Sequence, residues 1–331
     1  MNLKDPISMH ALTLTNRLVM PPMATNKSDN GVVTEALCQH YEARARGGYI
    51  GLIITEHSYV DVQGKASPQQ ISIASDEAIE GLHTLTDAVH HVGSTKIIAQ
   101  LNHAGAAADL AGTGLMTVGP SAIVIQHPWK KDLPVPHELT KAEISEIAGK
   151  FAAAAGRAKK AGYDGVEIHS AHGYLLNQFY SPLTNVRHDE YGGGSVENRT
   201  RFHVEVIEAV RRAVGSDFTV AVRLGGADFM EGGSTIADSV AAAAIFERAG
   251  VDFIDMSGGM CGYVRKDKTG PGYFSDMTAA VKKAVSIPVI LTGGITTREA
   301  AEQLLQAQAA DLIGVGRALL QDPLWGQKNM Q

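Results

Sequence analysis

The sequence predicts a single (β/α)8 barrel, the TIM-barrel architecture, over residues 1–331. Three observations carry that expectation. Eight short runs rich in Ile and Val recur along the chain, and several are apolar throughout, as strands of a parallel sheet buried on both faces must be. Amphipathic, Ala-rich stretches separate them. The 331 residues also exceed the roughly 250 of an unadorned barrel. The excess leaves room for an N-terminal segment capping the barrel and a long insertion after strand 3.

The strands are expected at 17–21 (RLVMP), 50–55 (IGLIIT), 96–101 (KIIAQL) and 165–169 (GVEIH), then at 218–224 (FTVAVRL), 252–257 (DFIDMS), 288–293 (PVILTG) and 311–316 (DLIGVG). Helices are expected at 34–48, 140–165, 196–215, 235–250, 274–285 and 296–310. The first opens on Thr34, a residue type that caps helix N-termini. Two helices run into an Ala-Gly pair, Ala161–Gly162 and Ala249–Gly250, the sequence of a glycine C-cap feeding the next strand. A doubly wound sheet is the rival architecture, but it needs a Gly-rich turn after its first strand, and this chain has PPMATNKS there. Residues 103–140 are rich in Pro and polar residues. They read as an insertion on the face that carries chemistry, with the place of a lid.

Composition bounds the function. A formal charge of −6 gives no electropositive footprint for nucleic acid. Two separated cysteines, Cys38 and Cys261, exclude a disulfide framework, a zinc ribbon and an iron–sulfur motif. No apolar run approaches a membrane span, and no signal peptide pattern opens the chain. The expectation is a cytoplasmic enzyme with small-molecule partners. Homo-oligomer formation is left open.

Barrel chemistry sits at the C-terminal ends of strands. The last two strands end in Gly293–Gly294 and Gly316–Arg317. Glycines there admit close backbone approach, and amide N–H groups with a guanidinium cradle phosphate. Gln100 ends the third strand and offers both donor and acceptor to a heterocycle. Arg223 ends the fifth and calls for a negative partner. The fourth runs into His169, His172 and Tyr174. No further ligands accompany the histidines as a metal site requires. Two imidazoles can instead hold one carbonyl or anionic oxygen, with Tyr174 as proton donor. Together these residues describe an electrophile-activating site over a phosphate-bearing cofactor.

The ordered motifs NRLVMPPM (16–23), QLNHAG (100–105), AGYDGVEIHSAHGYLLNQFYSPLTNVRHDEYGG (161–193), ENRTRF (197–202), VAVRL (220–224), IPVILTGGI (287–295) and DLIGVGRALLQDP (311–323) resemble the old yellow enzyme family over nearly the whole chain. The resemblance is nearest to the branch containing the barrel domains of 2,4-dienoyl-CoA reductase and trimethylamine dehydrogenase. It implies non-covalent FMN, reduced by NADH or NADPH, and reduction of the C=C bond of α,β-unsaturated carbonyl compounds. By resemblance Pro21, Pro22, Met23 and Ala24 line the isoalloxazine, with the backbone of His57 nearby. Gln100 reaches its pyrimidine, and Arg223 its N1–O2 edge. Gly293, Gly294, Gly316 and Arg317 take the phosphate. His169 and His172 hold the substrate oxygen, and Tyr174 delivers the proton. Amine demethylation, dehydrogenation or non-catalytic flavin binding are the alternatives. Ala24 stands where relatives carry Thr or Cys, and His57 replaces a usually small residue. No iron–sulfur cluster or second nucleotide domain is expected. The basic loop 262–274 reads equally as solvated or as anion-binding.

Overall fold

A computed structural model describes residues 1–331. Eight parallel strands form the central sheet: β1 (Leu18–Met20), β2 (Leu52–Ile54), β3 (Lys96–Asn102), β4 (Gly165–Ser170), β5 (Thr219–Ala227), β6 (Phe253–Gly258), β7 (Val289–Thr292) and β8 (Leu312–Gly314). Each pairs with its neighbours in sequence, and β8 pairs with β1 through Ile313↔Leu18. The ring therefore closes on itself, and two short strands, Ser58–Tyr59 and Ile71–Ser72, extend from the end of β3. Every expected strand falls on one of these eight.

The main helices are α1 (Glu35–Ala45), α2 (Ala78–His90), α3 (Lys141–Lys160), α4 (Val196–Val214), α5 (Ile236–Arg248), α6 (Ser275–Lys282), α7 (Arg298–Gln306) and the short α8 (Arg317–Gln321), with further short ones at Leu110–Thr113, Leu175–Tyr180 and Trp325–Met330. Their starts follow from sequence. Thr34 accepts from the Leu37 amide. Thr140 with Glu143, and Thr235 with Asp238, form reciprocal capping boxes. Gly162 and Gly250 take φ of 84° and 97°, the left-handed geometry that ends α3 and α5 and turns the chain into β4 and β6.

The sequence reading has no helix where α2 forms. Its N-terminus has no side-chain cap, and Gly81, Thr84 and Thr86 dilute its helix propensity. Leu82, Leu85 and Val89 nevertheless bury one face, and that packing forms the helix.

Two large apolar clusters fill the molecule, and a small third one gathers Ala66, Ala104, Ala107 and Ala108 around Tyr174. The first lies between sheet and helices. The second joins Val19, Leu52, Ile98, Ala221, Phe253, Ile290 and Leu312 from the strands to Met9, Leu12 and Leu14. The last three belong to an antiparallel hairpin, Ile7–Met9 with Leu12–Leu14, which plugs the end of the barrel opposite the strand C-termini. Residues 103–140 carry a short parallel pair, Val118–Gly119 with His137–Glu138, and place His127 beside Tyr174 and Trp129 beside His172, just past β4.

Candidate active site

The strand C-termini surround a cavity of about 450 Å³. Pro21, Pro22, Met23, Ala24, His57, Gln100, His169, His172, Tyr174, Arg223, Gly293, Gly294, Gly316 and Arg317 all line it. The geometry thus brings every sequence-predicted site residue to one place.

The histidine pair owes its placement to an unusual turn. His169 is in the last turn-facing stretch of β4, after which His172 and Gly173 adopt φ of 63° and 76°. Two successive left-handed residues fold the chain back, so that the imidazoles of His169 and His172 meet edge to face at 5.2 Å between centroids. Tyr174 stands 5.3 Å from His169. Ser257 Oγ, at the end of β6, holds His172 Nε2 at 2.7 Å. Burial first, then the neighbouring imidazoles and Arg223, pushes both imidazoles well below their ordinary range. Both rings are neutral at physiological pH and can each present one N–H. Burial alone raises the Tyr174 phenol, which therefore keeps its proton.

Beneath this layer lies a charged cluster. Gln100 Nε2 donates to Glu167 Oε1 at 2.7 Å. Arg223 Nε lies 3.2 Å from Asp255 Oδ2, and the register sets Arg223 between His169 on β4 and Asp255 on β6. Burial raises Glu167 well above its usual value, with Asp255 adding to the effect. Burial also lifts Asp255 to about 6, against the pull of Arg223. Sequence reading missed both carboxylates, because an acidic residue inside an apolar strand shows no partner in one dimension.

The edge formed by Pro21–Thr25 is held by Glu56. Its carboxylate accepts from the Thr25 amide at 3.0 Å and the Thr25 hydroxyl at 2.5 Å. Trp129 and Tyr263, both partly exposed, line the cavity's outer side, and Tyr273 is buried against Gly293 and Gly294. Trp129 packs 5.9 Å from His172 and 5.6 Å from Tyr263. In the basic loop Arg265 is spoken for: it binds Asp267 and Asp276 and stacks 3.9 Å from Phe229. It braces the loop and offers no free guanidinium.

Residues 2–331, all of the chain but its first residue, match the model of the NADH:flavin oxidoreductase / NADH oxidase family. The chain belongs to that family. It is 42% identical to the NADH oxidase of Thermoanaerobacter brockii over 96% of its own length, and 41% identical to the NADPH dehydrogenase of Bacillus subtilis over 97%. It spans about half of the first relative, 49%, and most of the second, 92%. Among solved structures, the old yellow enzyme homologue from Zymomonas mobilis superposes with a TM-score of 0.86 at 32% identity. That match covers 99% of this chain and 92% of the other.

Membership in this family implies FMN, and the residues fit it. Gly293 and Gly294 hold φ of 131° and 67°, and a Cβ on Gly294 would stand 2.6 Å from the Gly270 carbonyl oxygen. The amides of Gly293, Gly294 and Gly316 donate to no other backbone group, and Arg317 flanks them. That is the donor set a phosphate monoester needs. Gln100 and Arg223 line the same cavity, and their donors would suit the polar edge of a planar ring.

Proposed function

We propose that this protein is an FMN-dependent NAD(P)H oxidoreductase that reduces activated C=C bonds of α,β-unsaturated carbonyl compounds. The observation that carries the reading is the trio at the end of β4: two neutral imidazoles 5.2 Å apart with a protonated phenol beside them. Gly293, Gly294, Gly316 and Arg317 would hold the cofactor's phosphate. Gln100 and Arg223 would face its pyrimidine, and the Pro21–Ala24 segment would border its ring. Bound FMN would supply hydride, drawn from NAD(P)H and delivered to the substrate's β-carbon.

His169 and His172 then act on the carbonyl. Neutral N–H donors fixed in a low-dielectric site stabilise the enolate-like charge that develops on that oxygen. They need no reorganisation, because Ser257 and the β4 turn already orient them. Tyr174 gives its proton to the α-carbon as a general acid. Trp129 and Tyr263 cover the trio, exclude water and confine the alkene. A cationic amine gains nothing from two carbonyl-directed donors, which favours alkene reduction over demethylation.

Tyr174→Phe tests the assignment. Anaerobic stopped-flow should show alkene reduction slowed by roughly 10²–10⁴-fold, the usual worth of a positioned acid. Bleaching of the flavin by NADPH or NADH should be unchanged. Equal slowing of both half-reactions would remove Tyr174 from the proton-transfer role.

A further inference from the structure

We infer that the side chain of His57 is a specificity-determining residue, a fixed hydrogen-bond donor for a second acceptor on the substrate. The inference rests on the reading given under Proposed function.

The ring of His57 is locked from behind. Gln70 Nε2 lies 2.8 Å from its Nδ1, and Asn102 Nδ2 lies 3.2 Å from the same atom. The orientation of Gln70 is not free. Its Oε1 accepts from the Ala66 amide at 2.5 Å, so its NH2 group must face the imidazole. Nδ1 of His57 is therefore an acceptor. Burial, then Lys130 and Arg223, holds this imidazole at about 4, so it is neutral. A neutral ring whose Nδ1 accepts carries its proton on Nε2.

That Nε2–H has no partner in the chain. It is absent from every intramolecular hydrogen bond of the ring, yet it is not a sealed, orphaned atom. His57 lines the cavity, so the donor opens there. The ring lies 5.3 Å from Tyr174 and 6.1 Å from His169 between centroids. A ligand whose first oxygen is held by His169 and His172 thus has a second donor within reach of its carbon framework. Mono-acceptor ligands leave that N–H unpaired, which costs affinity in a desolvated site. Ligands with an acceptor at each end, enediones or enones with a distal carbonyl, satisfy both.

The experiment uses the oxidised FMN holoenzyme without nicotinamide, so that nothing turns over. The probes are cyclohexanone and cyclohexane-1,4-dione, which differ by one carbonyl. Their dissociation constants are measured by titration calorimetry for wild type, His57→Phe and His57→Gln. The Phe variant keeps a flat ring without a donor, and the Gln variant restores an N–H near the Nε2 position. The dione-to-ketone preference should fall by about fivefold in His57→Phe, the worth of one neutral hydrogen bond, and return in His57→Gln. Ketone affinity alone should not fall in His57→Phe and should rise, because no N–H is then left unpaired. An unchanged preference in His57→Phe overturns the inference. So does a long-range 1H–15N spectrum of 15N-histidine protein that places the His57 proton on Nδ1. If neither probe binds wild type, the carbonyl-binding reading of His169 and His172 fails first, and this inference falls with it.

Discussion

Arg223→Leu should produce a stability deficit that grows with pH. The guanidinium sits 3.2 Å from Asp255, a fully buried carboxylate. Burial lifts Asp255 to about 6 even with Arg223 pulling it down. Without that cation the acid rises further. The sign follows from linkage. A carboxyl raised in the folded state binds a proton there that the unfolded chain releases, so its stabilising share is full at low pH and is lost as pH rises toward the folded value. In wild type that loss ends near pH 6, where Asp255 ionises in both states. In the variant it continues to the new, higher value. If that value reaches pH 8 or above, the variant loses an extra 1.4 kcal/mol per pH unit over about two units, or about 3 kcal/mol. Burial raises Glu167 in the same direction, and Arg223 pulls it down as well, so the Asp255 share is read by difference with a variant that lacks the Asp255 carboxyl. For 331 residues the unfolding entropy is about 0.7 kcal/mol per kelvin, so the extra deficit is about 4 °C in Tm. Apo protein followed by circular dichroism at pH 5.5 and pH 8 reads it free of bound cofactor. Adding Asp255→Asn to the variant should erase the pH-dependent part. A Tm deficit equal at both pH values would refute the account, because Arg223 would then be contributing packing and not charge compensation.

Two further outcomes are expected. Gly294→Ala forces a side chain onto φ of 67°, 2.6 Å from the Gly270 oxygen and 2.9 Å from the Tyr273 ring. The strain of about 1–3 kcal/mol should weaken FMN binding by tenfold or more, read from recovery of free-flavin fluorescence, and unaltered FMN retention would remove this glycine from the cradle. Because His169 and His172 lie well below their ordinary range and Tyr174 above its own, affinity for a neutral ketone should be flat between about pH 6 and pH 9. An inflection near 6.5 in a calorimetric pH series would show that one imidazole titrates as an exposed one.

What could be read from the chain, and what could not, divides along a physical line. Strands buried on both faces announce themselves by apolar runs, and glycines at their ends announce backbone approach, so the barrel and its rim were legible. Properties that depend on register across strands were not. Glu167 and Asp255 are each one acidic residue in an apolar run. They become a cluster only because β4, β5 and β6 lie side by side, with Arg223 registered against Asp255. The same holds for His57. Its position in the sequence marks it as near the rim, but its tautomer is set by Gln70, thirteen residues on, and by Asn102 at the end of β3. Trp129 and Tyr263 come from two loops without periodic pattern, and only closure of the ring brings them within 5.6 Å. Residue type and order therefore identify which groups reach the cavity. The protonation states that decide their chemistry come from neighbours supplied by other strands, and a substitution at Asp255, Gln70 or Ser257 can change the site without touching any residue the linear motifs contain.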